Sequence, residues 1–116
     1  MELTRWQVDA LFLLAEEAAP LECCGFISRD TIIPIVNVND EPGLFRMEPT
    51  AQLQAMLYHE PIAVYHSHVS DHAVPSPMDR RYTVDGLFYL IVSLSDELVN
   101  VFSDWQLIGS YGRHAS

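Results

Sequence analysis

The sequence has no lysine: all six of its basic residues are arginine, against sixteen acids, for a net charge of −10. Without a lysine side chain no isopeptide bond can form on the chain itself, so its own modification by a ubiquitin-like tag is confined to the N-terminus. A surface so poor in positive charge repels phosphate backbones and anionic lipids, so neither nucleic acid nor membrane is an expected partner. Nor does any apolar run reach the ~18 residues that a membrane span requires. The first twenty residues place acids ahead of an apolar stretch with a helical period, the pattern of a first helix and not of a signal peptide. The cytoplasm is therefore the expected location. Cysteine is scarce too: Cys23 and Cys24 are the two present, and they are adjacent. Bridging neighbours closes a strained ring, and the pair lacks the C-x-x-C spacing of a zinc ribbon. They read as small residues opening a strand, one buried and one partly exposed.

What is present suits a single globular domain spanning residues 1–116, with 49% hydrophobic and 19% charged residues. Leu3, Trp6, Val8, Leu11, Leu13 and Leu14 fit one face of a helix over residues 3–18, ending before Pro20. Cys24 to Ile27 reads as a strand, paired across Ser28-Arg29-Asp30 with a second strand from Thr31 to Val38. Asn39 to Leu44 is a loop. Pro49 opens a second helix, Thr50 to His59, with Leu53, Met56 and Leu57 on its apolar side. Ile62 to Tyr65 is a strand buried on both faces, and it runs directly into His66. After a polar loop at residues 69–75, Ser76-Pro77 has the form of an N-cap and first helical residue for a short helix over residues 77–84. Leu87 to Leu94 is another buried strand, Val99 to Ser103 an exposed one, and Trp105 to Ile108 a last one. The expected fold is α/β (α+β): a mixed sheet flanked by helices, its strand order not readable from the sequence.

The chemistry is concentrated in residues 66–79. His66 and His68, two apart on an extended segment, point the same way because strand side chains alternate. Asp79, one turn into the following helix, can supply a third ligand. Two imidazole nitrogens and a carboxylate suit Zn²⁺, and three protein ligands leave a fourth position for water. Taken alone, each residue has a plainer role: a core or surface histidine, a first-turn acid complementing the helix dipole, an N-cap serine.

The ordered set resembles the JAMM (MPN+) metalloprotease family, whose pattern is an early glutamate, then H-[ST]-H-P, a short loop and S-x-x-D. Here Glu22 is followed by His66-Ser67-His68 and Ser76-Pro77-Met78-Asp79, with Val69 where the family usually carries proline. Leu21 to Phe26 is also similar to the family's segment joining the first helix to the first strand. The resemblance implies a JAMM/MPN-like (cytidine-deaminase-like) fold and one zinc ion per chain on His66, His68 and Asp79. Glu22 would act as the base toward water, and Ser76 would stabilise the oxyanion. His72, in the loop over the site, is read as a non-ligand near the entrance, and His59 and His114 receive no role.

A nucleoside deaminase would need H-x-E followed by P-C-x-x-C. The middle residue here is Ser67 and the cysteines lie upstream, so that reading is set aside. A non-catalytic MPN-type interaction module of the same fold is an alternative, but such relatives lose one or more of the histidines, serine or aspartate, and the complete set here favours an enzyme. Among enzymes two relatives stay open: the JAMM domain of phage-tail assembly proteins, and stand-alone bacterial peptidases that trim ubiquitin-like sulfur carriers. Similarity to the latter implies, as partner, a protein or peptide substrate with an extended C-terminal tail. The oligomeric state is not encoded legibly.

Overall fold

The computed structural model describes residues 1–29, 31–81 and 83–113. The expected turn residue Asp30, the expected helix residue Tyr82 and the unassigned His114 lie outside them. Helix α1 (Arg5–Ala18) begins where Thr4 caps it. The Thr4 hydroxyl accepts from the Gln7 amide at 3.1 Å, while the Gln7 side chain accepts from the Thr4 amide at 2.9 Å. This reciprocal pair satisfies two of the N–H groups that a helix start leaves free.

Strands β1 (Cys24–Ser28), β2 (Thr31–Ile35), β3 (Ala63–His68), β4 (Phe88–Ser93), β5 (Leu98–Ser103) and β6 (Gln106–Gly112) form one sheet in the order β2-β1-β3-β4-β5-β6. Its neighbours are antiparallel except for β3 and β4, which run parallel with His66 beside Ile91 and His68 beside Ser93. A hairpin cannot join parallel strands. The chain after β3 therefore crosses one face of the sheet, and on that crossover lies α3 (Pro77–Arg81).

Each face has its own core. On one, Val8, Leu11, Phe12 and Ala15 of α1 pack against Ile27, Ala63, Tyr65, Leu90, Val92, Val99 and Val101. On the other, Cys24, Phe26, Val64, Tyr89, Ile91 and Phe102 lie with Met47, Ala73 and Ala55 of α2 (Pro49–Tyr58). Strand alternation puts His66 and His68 on this second face. Gly25 is required where β1 crosses Tyr65 of β3: a Cβ there would stand 2.4 Å from the Ile33 carbonyl and 2.7 Å from the Tyr65 ring. The buried Tyr65 hydroxyl has no hydrogen-bond partner among the described residues.

Several expectations are corrected. β5 is not exposed: Val99 and Val101 are fully buried, because β6 covers its edge and both faces carry core. Leu53, Met56 and Leu57 do not form the packed side of α2 but face outward, and the helix approaches the sheet through Ala55 with Ala51 beside it. Small side chains let the helix lie close, and this outweighs the leucine pattern. Trp6 and Leu13 likewise lie off the buried stripe of α1, which Phe12 and Ala15 complete. β2 stops at Ile35, leaving Val36 and Val38 exposed, and β6 runs four residues beyond the expected Ile108. Cys24 is buried and Cys23 half-buried, as expected, and both are free thiols. Burial raises Cys23 to about 11 and Cys24 to about 12, which makes them poor nucleophiles.

Candidate metal centre

β3 ends in the two histidines, and their Nε2 atoms are 3.2 Å apart. Asp79 projects from the first turn of α3 so that its Oδ2 lies 3.2 Å from His66 Nε2 and 3.3 Å from His68 Nε2. All three residues are buried. Asp79 is placed by Ser76, whose amide donates to Asp79 Oδ2 at 2.8 Å while the Ser76 hydroxyl accepts from the Asp79 amide at 3.1 Å. The expected N-cap is thus present, and it aims the carboxylate into the site.

His68 Nδ1 lies 2.8 Å from the His72 carbonyl, an acceptor only, so Nδ1 carries the proton. In the neutral ring that leaves Nε2 as a lone pair. Lone pairs of two imidazoles and a carboxylate at these distances repel unless a proton or a cation lies among them. Burial pushes His66 below its ordinary value. Burial also works to lower His68, but hydrogen bonds to Asp79 and the His72 carbonyl outweigh it and the pKa is raised. For Asp79 burial acts upward, yet hydrogen bonds from His66, His68 and the Ser76 amide hold it well below the usual carboxylate range.

Glu22 lies just before β1, 3% exposed. Its carboxylate, His66 and His68 bring ligand atoms within 4.8 Å of one another, a buried group that could hold a metal ion. The segment is stitched to β3 by Ser67, whose hydroxyl accepts from the Cys23 amide at 2.8 Å and whose amide donates to the Cys23 carbonyl at 3.0 Å. Ser67 points away from the histidines, so the H-S-H motif uses one face of the strand for ligands and the other to fix Glu22. The Glu22 carboxylate makes no hydrogen bond to a described residue, and burial raises its pKa to about 7. Glu22, His66, His68 and Asp79 are therefore brought together from three separate stretches of the fold, the segment before β1, β3 and α3, with Ser76 beside Asp79.

Sequence reasoning missed the supports. The Asn37 side chain donates to the Glu22 carbonyl at 2.9 Å and to the Leu44 carbonyl at 3.3 Å, and accepts from the Asn39 and Arg46 amides at 2.9 Å each. It folds the following loop back so that Phe45 stacks on His66 at 4.5 Å between ring centres. Asn37-x-Asn39 ahead of an Asp-Pro-Gly-containing loop was the available signal, since asparagine side chains commonly organise turns. The loop after β3 is held equally firmly. Asp96 takes the Ala73 amide at 3.0 Å and the His72 ring at 2.9 Å, Asn100 donates to the Ala73 carbonyl at 2.9 Å, and Ser93 donates to the Asp71 carbonyl at 2.7 Å. The His72 ring thus turns outward to Asp96, consistent with a non-ligand, while its backbone carbonyl orients His68.

Comparison with known proteins bears on the family and the fold. The family described as prokaryotic homologs of the JAB domain matches residues 6–108. Among solved structures, a protein from Desulfitobacterium hafniense is similar over 94% of this chain and 88% of its own, at 26% identity and a TM-score of 0.71. A JAB1/MPN domain protein from Archaeoglobus fulgidus is similar over 94% of this chain and 95% of its own at 18% identity, and its TM-score of 0.66 reflects a shared fold. A protein from Salinibacter ruber is similar over 87% and 80% respectively, at 26% identity and a TM-score of 0.56. No curated protein matches the chain.

Proposed function

The chain belongs to the prokaryotic homologs of the JAB domain, and from that premise we propose that it is a zinc-dependent peptidase or isopeptidase. Its substrate is a ubiquitin-like sulfur-carrier protein, or a related peptide, cut at an extended C-terminal tail. One observation carries the reading: His66 Nε2, His68 Nε2 and Asp79 Oδ2 form a buried triangle with sides of 3.2, 3.2 and 3.3 Å. Three ligands about 2.0–2.1 Å from a tetrahedral zinc stand roughly 3.3–3.4 Å apart, so the donor set fits the ion. A cation here relieves the repulsion described above, as a proton on an imidazole does in its place.

Bound there, zinc supplies a Lewis acid and lowers the pKa of water to roughly 7. The remaining steps belong to the chain. Glu22, its carboxylate hydrogen-bonded to no described residue, takes a proton from the attacking water and returns it to the departing amine. Ser76 accepts from the Asp79 amide through a lone pair, which leaves its hydroxyl proton to donate to the oxyanion. The His72 carbonyl fixes the His68 tautomer, the usual task of a group behind a metal-bound imidazole. A glycine-rich tail suits a centre buried this far, because glycine lets a backbone approach closely.

Elemental analysis tests the centre: one zinc is expected per chain, lost in His68→Ala and Asp79→Ala but kept in Glu22→Gln. Mass spectrometry tests the activity. Wild-type protein should release the amino acid from a Gly-Gly tail, and Glu22→Gln should do so ~10²–10⁴-fold more slowly. Equal zinc in wild type and both ligand variants refutes the centre. Cleavage of peptidoglycan stem peptides with carrier adducts left intact refutes the substrate.

A further inference from the structure

Asp104 and Trp105 form the two-residue turn between β5 and β6, with φ of 53° and 60°. Left-handed backbone at both turn positions favours asparagine and glycine, and a bulky side chain there is an outlier. Such strain persists where something else depends on it. Here the backbone carries the indole to Tyr89, 4.5 Å between ring centres. The indole N–H donates to the Thr83 hydroxyl at 2.9 Å, and that hydroxyl donates to the Arg80 carbonyl at 2.8 Å. The turn is thereby tied to the end of α3, the helix that presents Asp79.

The indole walls a cavity of about 70 Å³ whose lining includes Phe45, Met47, Val84 and Tyr89 together with His66 and Asp79 of the candidate centre. Trp105, with Val84 and Tyr89, also borders a neighbouring pocket that includes Asp85 and Asp104. One strained aromatic residue thus lines both an apolar cavity touching the site and an acidic neighbour. Phe45 lines the same cavity while stacked on His66.

We infer that this cavity receives an apolar side chain of the substrate and that Trp105 sets the preference, an inference that rests on the peptidase reading above. A Gly-Gly tail has no side chain to offer. The occupant is therefore the side chain of the residue on the amine side of the scissile bond, the one released by cleavage. The lining offers hydrocarbon and aromatic surface to an apolar group, and an acidic side chain would meet the field of Asp85 and Asp104, which border Trp105, unfavourably. The chain then acts on tails that end in Gly-Gly followed by an apolar residue.

Binding can be read without turnover. In ¹⁵N-labelled protein the two tryptophan indole N–H signals report separately, with the exposed Trp6 as internal control. N-acetyl-leucinamide should shift the Trp105 signal saturably, with N-acetylglycinamide and N-acetylaspartamide at least 10-fold weaker. Trp105→Asn, which suits the turn, should remain folded by its amide spectrum, and its Val84 and Tyr89 amides should distinguish the leucine and glycine probes less than 2-fold. A Trp105 signal unmoved by the leucine probe, or moved equally by glycine, overturns the cavity's role. Discrimination retained in Trp105→Asn overturns the part given to Trp105. In the cleavage assay, tails ending Gly-Gly-Leu should be cut at least 10-fold faster than Gly-Gly-Asp, and equal rates also overturn the preference. Probe binding as described, with neither tail cut, supports the cavity and rejects the peptidase reading instead.

Discussion

Replacing Glu22 by glutamine should stabilise the metal-free protein above neutral pH and leave it unchanged near pH 4.5. The folded-state pKa of Glu22 is raised from 4.5 to about 7, chiefly by burial. A group raised in this way stabilises the fold fully below its unfolded pKa, and that contribution is lost as pH climbs to the folded one. At 1.36 kcal/mol per tenfold change in proton affinity the difference is about 3 kcal/mol. Discounted for solvent reaching the carboxylate from the cleft, we take about 2 kcal/mol. Glutamine is near in shape to the protonated acid, so the variant lacks the loss while sharing the low-pH state. His66 and Asp79 titrate in both proteins, whereas the Glu22 charge also helps to raise His68, so the loss of that attraction in the variant trims the gap at intermediate pH and leaves pH 8, where the imidazole is neutral, as the cleanest comparison. The assay is urea unfolding with chelator present at pH 4.5, 6 and 8. With a slope of about 2 kcal/mol per molar urea, the variant's midpoint should exceed wild type by about 1 M at pH 8 and by almost nothing at pH 4.5. A gap that is the same at all three values would mean that Glu22 is not ionised at a cost in the folded protein, and the argument from its burial would fail.

Three further outcomes are expected. Asn37→Ala removes the four hydrogen bonds that hold the loop bearing Phe45 and should cost about 2 kcal/mol in urea unfolding, with weaker zinc retention against a chelator. Ser76→Ala should lower stability by about 1 kcal/mol through the lost cap and cleavage by ~10²-fold through the lost oxyanion donor, with zinc content unchanged; a rate equal to wild type rejects the second role. Tyr65→Phe deletes a buried hydroxyl that has no partner among the described residues and should raise stability by about 1 kcal/mol, read as a higher melting temperature.

The strands were legible because their cues are local. Ile62 to Tyr65 and Leu87 to Leu94 are apolar throughout, as strands covered on both faces must be. The histidine pair was legible for the same reason: alternation along one strand decides which way two side chains point. The exposure of β5 was misjudged because burial of a strand depends on its place in the sheet, and strand order is a long-range property absent from a local pattern. α2 misled because its leucines obey the helical period while the packing runs through Ala51 and Ala55. Only shape complementarity with the sheet settles such a choice. Glu22 followed from the family resemblance and not from spacing, since forty-three residues separate it from His66 along the chain and the Ser67–Cys23 stitch that joins them is tertiary. Asn37, Asp96 and Asn100 were passed over because a polar residue in a turn looks the same whether it faces water or organises a site.

The candidate ligands rest on supports of unequal firmness. His66 and His68 ride on the central strand, hydrogen-bonded to β1 on one side and β4 on the other, and such strands open only with the whole fold. Asp79 rides on a helix of five residues, too short to persist without its tethers. An ion held by all three would therefore exchange by a hinged route: α3 lifts, Asp79 lets go first, and the histidines keep a two-point grip until the ion leaves or the helix returns. Metal exchange should then follow the amide hydrogen exchange of residues 78–81 and be indifferent to that of residues 63–68. The rate at which the centre is loaded and emptied would be written in the small helix, not in the strand that carries most of its ligands.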